Sequence, residues 1–164
     1  MEHGAKLVNN VIDKLDSKTN GVYTSVGHYD HSELHDLLKS ISNETEITMD
    51  DLMHQYGKFL FKKFITYYPA FFENIEHPFD FLESVDSYIH KEVLKLYPDA
   101  ELPNFTCKIQ NMTSMEMIYS SKRRMENFAK GLIEECLMHF EKTGTVDMAV
   151  INSEEVLFTI EIHE

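Results

Sequence analysis

Four residues of this chain have types and spacing suited to ligand chemistry: His90, and the run Tyr119, Ser121, Arg123. Around His90, Leu82, Val85, Ile89, Val93, Leu94 and Leu96 recur at helical spacing, which predicts an imidazole on the apolar stripe of a helix. Such a ring is either a satisfied core residue or a ring nitrogen offered to a metal, and the periodicity leaves both readings open. Tyr119, Ser121 and Arg123 bring a phenol, a hydroxyl and a guanidinium to one strand-to-helix junction. That donor set suits carboxylates, with the guanidinium able to grip one by two prongs. The plainer alternative is that Ser121 caps a helix and Arg123 is solvated.

The elements that must position these residues follow from local patterns. Pro78 suits a first helical turn and Tyr97-Pro98 ends the run, so one helix over 78–96 is predicted to carry His90. Phe105 to Gln110 and Met115 to Ser120 alternate about Asn111-Met112-Thr113-Ser114, a hairpin pattern. A helix from about Lys122 to Glu141 follows, stopped by Gly144, and Val146 to Ile151 and Val156 to Ile162 supply two more strands. Upstream, Lys6 to Leu15 and His31 to Ile41 read as amphipathic helices. The loop between them, 16–29, has an extended piece at Val22-Tyr23-Thr24. Thr48 caps a third helix reaching Tyr67, in which Gly57 signals close approach of a flat or bulky group, or of a neighbouring helix. The aromatic cluster from Tyr67 to Phe81 must be buried whether it is core or lines a cofactor.

The sequence Tyr119-Ser120-Ser121-Lys122-Arg123, with Asp86-Ser87-Tyr88-Ile89-His90 and Glu101-Leu102-Pro103 before it, resembles the haem nitric oxide/oxygen binding (H-NOX) family, relatives of the soluble guanylate cyclase sensor domain. The similarity continues through Gly21-Val22-Tyr23-Thr24, Tyr56-Gly57-Lys58-Phe59-Leu60-Phe61, Tyr68-Pro69-Ala70-Phe71-Phe72 and Gly131-Leu132-Ile133. The resemblance implies that ferrous haem b is the cofactor, that His90 is its axial iron ligand, and that Tyr119, Ser121 and Arg123 hold its propionates. It also implies that Pro103 presses on the macrocycle and that Leu60, Phe64, Ile89, Phe128 and Leu132 line the pocket. The fold expected is α+β in a single domain, 1–164: a mainly helical distal part over 1–75, packed over 76–164, where the His90 helix joins a four-stranded antiparallel sheet with flanking helices.

The implied function is a bacterial gas sensor. Nitric oxide weakens the bond opposite to it, so His90 lets go, its helix shifts, and the shift is read by a partner in trans such as a histidine kinase or a cyclic-nucleotide enzyme. Dioxygen-holding members carry a distal tyrosine where this chain has Phe128, so nitric oxide and carbon monoxide are the expected ligands, with Tyr56 the nearest tyrosine able to change that. The family pattern has a helix preceding Lys6 that this sequence is expected to lack, and the cysteines with which some relatives bind zinc are absent.

Composition narrows the alternatives. A formal net charge of −13 over 164 residues argues against nucleic acid or an anionic membrane surface as partner. No apolar run is long enough to span a bilayer and no leader is evident, so a cytoplasmic protein is expected. Cys107 and Cys136 are too isolated for a disulfide framework or a zinc site. His28, His31 and His35 lack a completing carboxylate or cysteine and are read as surface residues. No activated nucleophile, phosphate loop or paired-carboxylate site stands out, so an enzyme is not expected. The rival to a gas sensor is a haem-free interaction module of the same fold.

Overall fold

The computed structural model describes residues 4–15, 19, 21–24, 27 and 29–163. The chain divides into two compact units, Met1–Met53 and His54–Glu164.

In the first unit, α1 (Ala5–Lys14) and α2 (His31–Thr45) pack together, burying Val11 and Leu38. Asp30 caps α2 by accepting the Ser32 N–H at 2.9 Å, the short acceptor that a helix start requires. Lys14 pairs with Glu44. The segment Val22-Tyr23-Thr24 is irregular rather than extended strand. His31 and His35 are exposed beside Asp30 and Asp36, while His28 lies outside the described residues. At the end of this unit α3 (Met49–Tyr67) begins, with the Thr48 hydroxyl accepting the Asp51 N–H at 3.1 Å and donating to the Asp51 carboxylate at 2.7 Å.

The second unit holds the rest of α3, a 3₁₀ turn (Pro69–Phe72), α4 (Pro78–Ser84), a π turn (Val85–Ile89) and α5 (His90–Leu96). The strands β1 (Asn104–Asn111), β2 (Ser114–Ser120), β3 (Thr143–Val150) and β4 (Glu155–His163), with α6 (Glu126–His139) between β2 and β3, complete it. The strands form one antiparallel sheet in the order β1-β2-β4-β3. Alternation in β2 and β4 sends Met115, Met117, Tyr119, Val156, Phe158, Ile160 and Ile162 to one buried face. Phe61, Phe79, Phe81 and Leu82, with Ala129, Ile133, Cys136 and Leu137 of α6, complete the core.

Two glycines bring backbones into contact. A Cβ on Gly57 would stand 2.2 Å from the Phe128 carbonyl oxygen, and one on Gly131 would stand 2.1 Å from that of His54. The group that approaches Gly57 is therefore the main chain of α6, not a flat ligand. Gly144, predicted to stop the preceding helix, instead lies in β3 opposite Ile162. The stop comes earlier, at Glu141, whose φ of 55° breaks the helical path.

Candidate functional site

The predicted helix over 78–96 is not continuous. Between α4 and α5 the hydrogen bonding widens by one residue: the His90 N–H donates to the Val85 carbonyl, five residues back. In an uninterrupted helix His90 would lie roughly 80° round the axis from Leu82, at the flank of the apolar stripe. The π turn rotates everything after it back toward the core, and the His90 side chain is only 15% exposed. The same rotation turns Leu96, which the uninterrupted periodicity placed on the stripe, to the outside, where it is 67% exposed.

His90 Nδ1 faces Asp86 Oδ1 at 3.5 Å, one turn earlier on the same element. Asp86 also accepts the Phe105 N–H at 3.3 Å and so links this turn to β1. With the ring proton directed at the carboxylate, Nε2 keeps its lone pair. Burial holds the His90 pKa below its ordinary value, with Asp86 pulling the other way, so the ring is neutral at pH 7. A neutral imidazole with one nitrogen oriented by a carboxylate is the form that binds a metal.

His90 opens onto a cavity of about 310 Å³ enclosed between α3, the π turn, β1, β2 and α6. Its walls include all ten residues singled out from the sequence: Leu60, Phe64, Ile89, His90, Pro103, Tyr119, Ser121, Arg123, Phe128 and Leu132. The interior is apolar, with Met117, Met125, Val85 and Phe105 adding to it. At one end the cavity meets a more open groove of about 650 Å³ lined mostly by polar and charged residues, and His90, Glu101, Leu102, Pro103, Ser121 and Arg123 line both. An amphipathic ligand, flat and apolar with carboxylates at one edge, matches that division.

The donors sit at the junction. The Tyr119 hydroxyl accepts the Met125 N–H at 3.1 Å and Ser121 Oγ accepts the Arg123 N–H at 3.1 Å. Each oxygen is thereby fixed by the backbone while its own hydrogen remains available to donate. Arg123 Nη2 donates to Glu101 Oε2 at 2.8 Å. The predicted helix start at Lys122 is displaced to Glu126, because Arg124 has a φ of 50°. Ser121 therefore caps a turn and not the helix. Arg124 does not join the donors; its guanidinium bonds Glu126 and the Ser153 carbonyl.

On the helical side of the cavity Leu60, Phe64, Phe128 and Leu132 present carbon only. Tyr56 touches the Phe128 ring, centroids 5.3 Å apart, but is not among the described residues lining the cavity. Asp86 and Glu101 escaped the sequence reading. Asp86 was within reach of it, since four residues before His90 is one helical turn. Glu101 carried no signal, because its partner lies 22 residues away.

Titratable groups elsewhere in this unit are structural. Burial pushes the Cys107 thiol up to about 11, with Glu83 and Asp86 adding to the effect. Cys136, fully buried, is raised well above its ordinary value by the same cause. Glu134 joins α6 to α3 through Lys58 at 2.6 Å and His54 at 2.9 Å. Among the described residues no group of three or more His, Cys, Asp or Glu side chains is placed to hold a metal ion, and no helix is long and apolar enough to cross a membrane.

The model of the Haem-NO-binding family matches residues 1–148. No curated protein matches the sequence. Among solved structures, the Fe(II) unliganded H-NOX protein from K. algicida is 34% identical with a TM-score of 0.93, over 99% of this chain and 89% of that one. The IWP-051-bound H-NOX from Shewanella woodyi, in the Fe(II)CO ligation state, is 34% identical with a TM-score of 0.84, over 98% of this chain and 86% of that one. The H-NOX protein from S. oneidensis in the Fe(II)NO ligation state, 23% identical with a TM-score of 0.88 over 99% and 91% of the two chains, has the same fold. With a family model spanning nine-tenths of its length and relatives a third identical over nearly all of it, this chain belongs to the Haem-NO-binding, or H-NOX, family.

Proposed function

We propose that this chain is a haem-based sensor of nitric oxide and carbon monoxide that signals by release of His90. The observation that carries the reading is the convergence of the buried His90 ring and the donors Tyr119, Ser121 and Arg123 on one apolar cavity. The cavity's division into an apolar interior and a donor-bearing mouth fits haem b, a flat hydrophobic ring with two carboxylates at one edge. When bound, ferrous haem would supply an iron that takes up a diatomic gas.

The chain's own residues have separate tasks. Nε2 of His90 would hold the iron, with Asp86 fixing the ring's tautomer and direction. Tyr119, Ser121 and Arg123 anchor the carboxylates, and Pro103 presses on the flat face of the ligand. Leu60, Phe64, Ile89, Phe128 and Leu132 exclude water. Because Leu60, Phe64, Phe128 and Leu132, the described residues on the helical side of the cavity, offer no hydrogen-bond donor, dioxygen would gain no stabilisation from them, whereas nitric oxide and carbon monoxide need none. Asp86, beside His90 and bonded to the Phe105 N–H, would carry a movement of the His90 ring to β1. A partner protein in trans, of the histidine kinase or cyclic-nucleotide enzyme type, reads that change through its different affinity for the two states. The chain itself is not an enzyme in this reading; it acts in the cytoplasm, without nucleic acid or membrane.

The test is an absorption spectrum of the purified protein, reduced without oxygen and supplied with haem, before and after nitric oxide, beside His90→Ala. The expected result is haem uptake and a Soret shift on nitric oxide to the position of haem that has lost its histidine, with uptake weakened in the variant and restored by imidazole. Absence of uptake by folded protein overturns the proposal in favour of a haem-free interaction module.

A further inference from the structure

Arg123 already holds a carboxylate of its own chain. Its Nη2 donates at 2.8 Å to Oε2 of Glu101, on the irregular segment leading to Pro103. Both residues line the apolar cavity and the more open groove where the two meet. Resting on the haem reading above, we infer that Glu101 is a competitor built into the chain: it contends with the ligand's carboxylate for Arg123 and lowers the affinity with which a carboxylate-bearing porphyrin is held.

Three observations support a competitor and not a structural strut. The Glu101 side chain is 78% exposed and that of Arg123 36%, so the pair sits in water, where such pairs exchange readily and contribute little to stability. The backbone of Arg123 is held independently, its N–H bonded to Ser121 Oγ at 3.1 Å, so the guanidinium stays at the mouth without Glu101. Tyr119 and Ser121 lack any carboxylate partner among the described residues; Glu101 contends for Arg123 alone. A carboxylate arriving from the cavity meets two donors ready and a third to be exchanged.

The experiment uses the full chain and two fluorescent probes, metal-free protoporphyrin IX, which has two carboxylates, and its dimethyl ester, which has none. Wild type, Glu101→Gln and Glu154→Gln are titrated with each. Glu154 is an exposed acid whose carbonyl accepts the Ser121 N–H at 2.9 Å and whose side chain is not bonded to Arg123, so it reports the effect of removing one nearby charge. The expected result is diacid binding tightened about two- to fivefold in Glu101→Gln beyond any change in Glu154→Gln, with ester binding unaltered and the diacid effect shrinking as salt is added. Equal shifts in the two variants, an equal shift with the ester, or weaker diacid binding by Glu101→Gln overturns the inference while leaving the haem reading intact. Failure of wild type to bind either porphyrin overturns both.

Discussion

Asp86 stands 3.5 Å from Nδ1 of His90 and also accepts the Phe105 N–H at 3.3 Å, so one carboxylate ties the π turn to the imidazole and to the edge strand of the sheet. Asp86→Asn keeps an acceptor and loses the charge. The expected outcome is haem uptake close to wild type with the iron–histidine stretch, read by resonance Raman, moved to lower frequency because the ring is less basic. Asp86→Ala should in addition speed hydrogen exchange at the Phe105 amide in the haem-free chain.

The π turn can be removed by deleting one residue. Ser87 is exposed, and its deletion restores 3.6-residue spacing between Leu82 and the residues after it. His90 then lies seven residues after Leu82, roughly 20° from it round the axis, which is the direction the π turn gives it now. Circular dichroism should show a folded protein of undiminished helicity, and under the proposed function the histidine-ligated haem spectrum is kept; its loss overturns the account in which the π turn only sets the direction of His90.

Gly57→Ala and Gly131→Ala test the crossing of α3 and α6. An alanine in a helix normally gains about 1 kcal/mol over glycine. Here each new methyl would fall 2.2 Å or 2.1 Å from a backbone carbonyl oxygen, and backbone cannot rotate away. The contact wins: each variant should lose about 2–3 kcal/mol and roughly 5–10 °C in Tm by calorimetry.

Phe128→Tyr places a hydroxyl on the wall opposite the sheet, next to Leu60 and Leu132. Under the proposed function the expected gain is dioxygen uptake that persists in air-equilibrated buffer, followed by absorption spectroscopy. Wild type should show none. An unchanged variant would place the distal wall elsewhere.

Glu134 predicts a pH dependence of stability. Burial raises its pKa, but the hydrogen bonds and charges of Lys58 and His54 outweigh that and hold it below its ordinary 4.5. A carboxyl depressed in the native state contributes stability that is present above its ordinary value and lost as pH falls through the depressed one. Denaturant titrations from pH 7 to pH 3 should show Glu134→Gln less stable by about 1–2 kcal/mol at neutral pH, with a flatter acid limb than wild type.

Much of the fold was legible locally. Thr48 followed by Asp51 marks a helix start whatever lies around it, and the alternation in Met115 to Ser120 and Val156 to Ile162 sends Met117, Tyr119 and Phe158 to one face by backbone geometry alone. Boundaries governed by single left-handed residues were not legible, since Arg124 and Glu141 carry side chains that do not announce a positive φ.

By itself, the sequence determined which residues were available for chemistry: a histidine within an apolar run, and a phenol, hydroxyl and guanidinium at alternate positions of a strand end. Spacing within one element is a property of the chain, fixed before anything packs. Tertiary structure decided the phase and the partners. Whether His90 faces inward depends on a hydrogen bond from its N–H to Val85, five residues back instead of four. The core that Leu82 and Ile89 join favours that choice, not the propensity of any residue in the turn. The meeting of Arg123 with Glu101, and of Gly57 with the Phe128 carbonyl, likewise depends on how strands and helices cross, which no local periodicity encodes.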